Sequence, residues 1–152
     1  MAGTPDKVLL RDFTCKINTG TVAVPVWTPI GGLDEDGITE SRSDRTTDFM
    51  DANSGGAARP RVIGRSYTYT LKGARLEAAS DGTRDPGQAA VELLQDEVVA
   101  DNMAQFQIES PPAATPETIT FMAAVSVAGL GDTSNKASWG ATLLVDGIPT
   151  RA

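Results

Sequence analysis

The sequence predicts a mainly β fold: a β-sandwich or split barrel with one flanking α-helix. Three observations point there. Apolar and polar residues alternate in several runs with the two-residue period of a half-buried strand. Fifteen glycines and nine prolines supply turns between the runs. One segment alone combines helical spacing with a helix-start signature. At 152 residues the chain can bury a sizeable core without disulfides, and residues 1–152 read as a single domain.

The elements follow in order. Phe13, Cys15 and Ile17 share one face of a strand that turns at Asn18-Thr19-Gly20. Val22, Val24 and Val26 continue the alternation into Trp27, which predicts a hairpin, with Pro25 holding its strand to a sheet edge. Ile38 to Ser43 is a possible strand. The surrounding stretch, about 33–62, is rich in Gly, Asp, Ser and Arg and reads as a long irregular loop, least periodic over Asp51–Pro60. In 65–77, Tyr67, Tyr69 and Leu71 share one face, and Ser66, Thr68, Thr70 and Lys72 the other. Asp85-Pro86-Gly87-Gln88 opens a helix over 86–100, with Asp85 as N-cap, Pro86 at the first position and Gln88 spaced for a capping box. Its buried stripe is Ala90, Val91, Leu94 and Val98, with Glu92, Gln95 and Asp96 facing away. Strands follow at 103–109 (Phe106 and Ile108 inward; Gln105, Gln107 and Glu109 outward), at 118–127, buried on both sides, and at 138–146. Pro111, Pro112 and Pro116 mark a loop, and 129–135 a turn.

Composition excludes most chemistry. There is no histidine, so the commonest general base and metal ligand is missing, and the single Cys15 allows no intrachain disulfide and no cysteine-based zinc site. No cofactor motif appears: Gly129 and Gly131 lack the third glycine of a dinucleotide fingerprint. Asp34, Glu35 and Asp36 before Gly37 have the wrong spacing for a calcium loop and read as an acidic turn. Paired carboxylates such as Asp34 and Glu40 are the one remaining route to hydrolysis. No catalytic, metal or cofactor residue is assigned, and the expectation is a protein that is not an enzyme. The start shows no signal peptide, and the most apolar run, near 119–131, is too short and too interrupted to span a bilayer. A soluble chain made in a cytoplasm, with no membrane anchor, is expected.

Net charge is −7, which argues against a uniform phosphate-gripping surface. The charge is divided along the chain. Residues 42–75 carry seven basic against three acidic side chains, and 77–132 carry Arg84 against ten carboxylates. Such a bipolar subunit can pair one face with another face of a neighbour. Strands with polar outer faces leave sheet edges open, and pairing with further copies of the chain removes them.

Four segments, taken in order, resemble the major tail tube proteins of long non-contractile-tailed bacteriophages: Trp27-Thr28-Pro29-Ile30-Gly31-Gly32, Thr46-Thr47-Asp48, Arg65 through Gly73, and Asn135 through Gly147. The resemblance covers roughly residues 8–150. It implies a β-sandwich or split barrel with a flanking helix, whose strands join neighbours in a hexameric ring. Rings stack into a tube that conducts DNA and a tape-measure protein, between a tail-tip initiator and a tail terminator. Related architecture serves as the inner tube of contractile systems. In that frame the protein is a structural virion component, and DNA is only in transit. The expected lumen lining is Glu40, Ser66, Thr68, Thr70, Gln105, Gln107 and Glu109. The expected contacts between subunits or rings are Arg42, Arg45, Asp48, Arg59 and Arg61. The alternative is a β-sandwich that decorates a virion or attaches it to a cell surface, which would cluster exposed aromatics on loops.

Overall fold

The computed structural model describes residues 13–49, 55, 57, 59–77, 80, 82–110, 117–130 and 138–152. Among the described residues, seven strands lie in one antiparallel sheet: β1 (Thr14–Asn18), β2 (Trp27–Pro29), β3 (Leu33–Phe49), β4 (Arg59–Ala74), β5 (Met103–Glu109), β6 (Thr118–Leu130) and β7 (Ser138–Arg151). Their order across the sheet is β2-β1-β5-β6-β7-β4-β3. The helix α1 (Pro86–Gln95) and a 3-10 turn (Val99–Asn102) stand between β4 and β5 in the chain. The fold is therefore mainly β with one α-helix, and its strands lie in one curled sheet rather than two facing ones.

Aromatic packing shows the curl. Tyr69 on β4 and Phe121 on β6 have β7 between them, and two strand spacings amount to about 9.5 Å. Their rings nevertheless stack with centroids 4.5 Å apart, and Phe106 on β5 lies 5.8 Å from Phe121. Around this stack the expected inward residues are buried: Cys15, Ile17, Leu71, Ile108, Ile119, Ala123, Val125, Trp139, Ala141 and Leu143. On β6 the opposite face is only half-buried at Met122 and Ala124, so that strand is covered fully on one side.

The helix covers the concave face. Gly87, Gln88 and Val91 are buried, with Ala90 and Leu94 packed at the margin. Gly87 sits where a Cβ would collide with the Pro29 carbonyl, so glycine permits the first turn to lie directly on β2. Asp85 caps as expected, its Oδ2 accepting from Gln88 N at 3.0 Å. Gln88 does not close a capping box. Its side chain donates to Gly31 O at 2.9 Å and Ala74 O at 2.8 Å and accepts from Leu76 N at 3.1 Å. One fully buried amide thus ties the helix to the chain entering β3 and leaving β4.

Four sequence expectations need correction. The stretch 33–62 is not an irregular loop: β3 and β4 pair from Ile38 opposite Leu71 to Phe49 opposite Arg59. The backbone ladder forms without apolar alternation because the outer part of this ribbon is exposed on both faces, so no pattern marks it. Most of Asp51–Pro60 lies outside the described residues, as do the loop segment 111–116 and residues 131–135 of the expected turn, whose first two residues end β6. The acidic turn at Asp34 belongs to β3, at a register irregularity between Leu33 and Ile38. Val22, Val24 and Val26 are exposed loop residues rather than a strand, because Asn18 folds the loop around its own side chain, with Oδ1 accepting from Gly20 N and Val26 N. The helix ends at Gln95, and Val98 stands 73% exposed instead of completing the stripe.

Val91 is fully buried and Leu93 is 75% exposed. Val91→Ala is expected to cost about 2 kcal/mol of subunit stability, through two lost methyls and the cavity they leave. Leu93→Ala is expected to change it by less than about 0.5 kcal/mol. Urea unfolding of the two variants measures both.

Candidate assembly surfaces

The strand register divides the sheet into two continuous faces. Phe106 pairs with Phe121, Val125 with Leu143, and Leu143 with Tyr69, all on the buried face. Gln105, Gln107 and Glu109 on β5 and Ser66, Thr68 and Thr70 on β4 therefore share the opposite, open face. Its groups bond to each other across strands. Lys16 Nζ donates to Glu109 Oε2 at 3.0 Å, and Asn18 Nδ2 donates to Gln105 Oε1 at 3.2 Å. Lys72 is also exposed on this face. The rows from β4 and β5 are polar, while Met122, Ala124 and the half-exposed Leu144 between them share the same face.

Glu40, expected with these six, is on the other side. It pairs in register with Tyr69, whose side chain points into the core, and paired residues share a face. Reading 38–43 in isolation gave no way to phase it against β4. Glu40 instead forms a clamp at the sheet margin. Tyr69 Oη donates to its Oε2 at 2.8 Å, and Arg151 Nη2 donates to both its oxygens at 3.0 Å. Arg151 also reaches Glu117 Oε1 at 3.3 Å. These bonds raise the Arg151 pKa, opposed in part by desolvation, while burial and the Glu40 carboxylate push the Tyr69 phenol well up. The clamp joins the last strand to the base of β3.

The remaining candidates lie on a projecting arm. β4 pairs with β7 only from Thr68 to Ala74, whereas its ladder with β3 continues to Arg59. Residues 42–49 and 59–67 thus form a two-stranded ribbon roughly 25 Å long beyond the β4–β7 pairing. Arg42, Arg45, Asp48 and Arg61 are exposed on it, and Arg59 is at its outer end. Asp44 lies 3.5 Å from Arg42 Nε and 3.6 Å from Arg65 Nε, surface contacts that contribute little. The ribbon carries five arginines against two aspartates.

A last polar cluster fastens α1. Arg84 donates to both oxygens of Glu92, at 2.9 and 2.7 Å, and Trp139 Nε1 donates to Glu92 Oε1 at 2.9 Å. The sequence places Glu92 on the outer side of the helix, but it reaches the indole of the buried Trp139. The Arg84 bonds, more than those of Trp139, hold the Glu92 pKa below its usual value against desolvation. Neither Arg84 nor Arg151 stands out in the sequence, since each finds its partner across distant segments.

No protein-family model and no curated protein matches the sequence. Solved structures do. The tail of an empty gene transfer agent particle, with C6 symmetry, is similar at a TM-score of 0.65 and 17% identity, over 93% of this chain and 96% of that one. The virion of a native gene transfer agent gives 0.58 at 17% identity, with the same coverage. The SPP1 tail tube gives 0.69 at 10% identity, over 95% of this chain and 78% of that one. The chain has a tail-tube fold. Within it, the described residues hold no group of three or more Cys, Asp or Glu able to bind a metal. Burial raises the Cys15 thiol to about 12, which keeps it protonated and unreactive.

Because the folded pKa of Glu92 is lowered, its ionised form contributes stability above the unfolded value near 4.5, and this is lost as pH falls through the folded value. Glu92→Gln is expected to cost about 1–3 kcal/mol at neutral pH. The difference from wild type should shrink progressively below pH 4.5, as denaturant midpoints over a pH series will show.

Proposed function

We propose that the chain is a structural virion protein of a phage-type tail. Six copies close into a ring, and rings stack into a tube that conducts DNA and a tape-measure protein. The observation that carries this reading is the likeness of the fold, over nearly all of this chain, to subunits of two tail structures and of a gene transfer agent virion. The tail-tip initiator and the terminator are the partners expected at the two ends of such a tube. The protein is made in the host bacterial cytoplasm and ends in the virion, with no cofactor and no catalytic role.

The two faces of the sheet fit this role. A duplex carries about one negative charge per 1.7 Å, and a cationic wall would hold it through many phosphate contacts. The open face with Ser66, Thr68, Thr70, Gln105, Gln107 and Glu109 offers hydroxyls, amides and a carboxylate paired to Lys16. We assign this face to the lumen, without Glu40. Arg42, Arg45, Asp48, Arg59 and Arg61 on the arm are assigned to contacts between subunits or rings. A decoration or attachment module is disfavoured by the tryptophans: Trp139 is buried on Glu92, and Trp27 is half-buried in β2.

Electron microscopy of the purified full chain, with its tail-tip initiator supplied, is expected to show tubes built of six-fold rings. A strict monomer at high concentration would overturn the proposal. Thr70→Lys combined with Gln107→Lys is expected to leave assembly intact and slow DNA release from the particle. The delay should grow as salt falls from 0.1 M to 0.01 M, where the screening length rises from about 10 to 30 Å. Ejection kinetics at the two salt concentrations measure it.

A further inference from the structure

The sheet is split where the arm leaves it. β4 and β7 pair from Ala74 opposite Ser138 to Thr68 opposite Leu144, and they separate beyond that point. From there β7 follows β6 to its end, with Ile119 opposite Arg151, while β4 continues with β3 alone. Among the described residues no ladder joins 59–67 to 145–151. A two-stranded ribbon attached at so narrow a base can twist and swing, because no layer packs on it.

One polar cluster bridges the split, and each of its ends is anchored. Thr118 and Ala152 exchange both backbone bonds at 2.9 Å, which pins the end of β7 that carries Arg151 to β6. On the other side the buried Tyr69 ring is stacked on Phe121, so its hydroxyl is held in place where it donates to Glu40 Oε2 at 2.8 Å. Arg151 spans the two anchors. Its Nη2 donates to both oxygens of Glu40 at 3.0 Å, and its Nη1 to Glu117 Oε1 at 3.3 Å. An exposed ion pair between two free side chains contributes little, since both lose their freedom on pairing. Here a guanidinium on a pinned strand end meets a carboxylate already held by a buried hydroxyl, so less freedom is lost. Arg42, the next charged residue on this face of β3, is 3.5 Å from Asp44, within the arm.

We propose that Glu40, Tyr69, Arg151 and Glu117 form a latch that fixes the angle of the β3–β4 arm to the sheet. Closed, the latch ties the root of the arm to the end of β7. Open, the arm turns about Ser41 and Thr68, where the ladder shared with β7 ends. The device belongs to the single subunit and does not depend on the tube reading.

Double electron–electron resonance on the dilute full-length subunit tests it, with spin labels on Thr46→Cys in the arm and Gln95→Cys on α1, both exposed positions. Cys15 is buried and takes no label. A single narrow distance is expected, and Glu40→Gln or Arg151→Gln should broaden it several-fold. Arg151→Lys keeps the charge without the planar fork and should fall between. With the latch intact the width should grow as salt rises from 0.1 to 1 M, where the screening length falls from about 10 to 3 Å, and in Glu40→Gln it should change little. Glu92→Gln removes bonds at the helix instead and should keep the narrow distance. A broad distribution with the latch intact, or a narrow one in both Glu40→Gln and Arg151→Gln, overturns the proposal. Equal broadening in Glu92→Gln also overturns it, because the effect is then one of stability alone. Should Arg151→Gln fail to fold, Glu40→Gln and Arg151→Lys decide by the same criteria.

Discussion

A single sheet can bury only the face it curls around, and here it curls around Tyr69, Phe106 and Phe121. Close stacking of Tyr69 on Phe121 across an intervening strand is possible only if β4, β7 and β6 bend toward one another. Everything else follows from that bend. It makes a concave side that a ten-residue helix suffices to cover, and it leaves the other side with no partner layer. That side faces water, and the Thr, Ser and Gln rows of β4 and β5 suit it before any lumen is considered, with Met122, Ala124 and Leu144 between them.

The helix is too short to hold its place by propensity, since isolated helices of this length are marginal in water. Two polar side chains fix it, Gln88 fully buried and Glu92 half-buried. Gln88 uses both its hydrogens and its carbonyl on three backbone groups from segments that flank β3 and β4. Glu92, one turn further on, binds Arg84 and the indole of Trp139. A buried amide or carboxylate left unpaired is expensive, so each acts as a register device: the helix fits in one position and loses these bonds in any other. The apolar contact of Val91 supplies attraction without direction, and these two residues supply the direction.

What was legible in the sequence was whatever a local period can report. The inward residues of β4, β5, β6 and β7 were phased correctly because each strand has one wet and one dry face. The helix start was legible from Asp85 and Pro86. Its end was not: Val98 continues the spacing, but a period says nothing about whether a surface exists to receive the residue. Failures elsewhere share one cause. The β3–β4 arm is wet on both faces, so it has a ladder and no hydrophobic signal. Glu40 was misphased because its face is set by register against β4 across a bulge, a non-local quantity. Arg84, Arg151 and Glu92 owe their roles to partners brought together by folding, which no spacing along the chain encodes.

The arm poses the remaining physical question, because a two-stranded ribbon exposed on both faces is at best marginally stable. Its backbone bonds compete with water, its surface ion pairs are weak, and Val62 and Ile63 stay about half exposed. Among the described residues the Glu40–Arg151 clamp ties it to the last strand, and that clamp acts at the base. In the proposed tube the ordering cost of the arm falls on the assembly step, where a neighbour can cover the apolar pair and oppose the arginines with carboxylates. Subunits of this kind stay apart while dilute, because the contact must offset that cost as well as the lost freedom of docking. Once a stack has begun, its growing end presents several ordered partners at fixed spacing, so each further addition is easier than the first. A charged ribbon wet on both faces is therefore consistent with a subunit that waits for an initiator before polymerising.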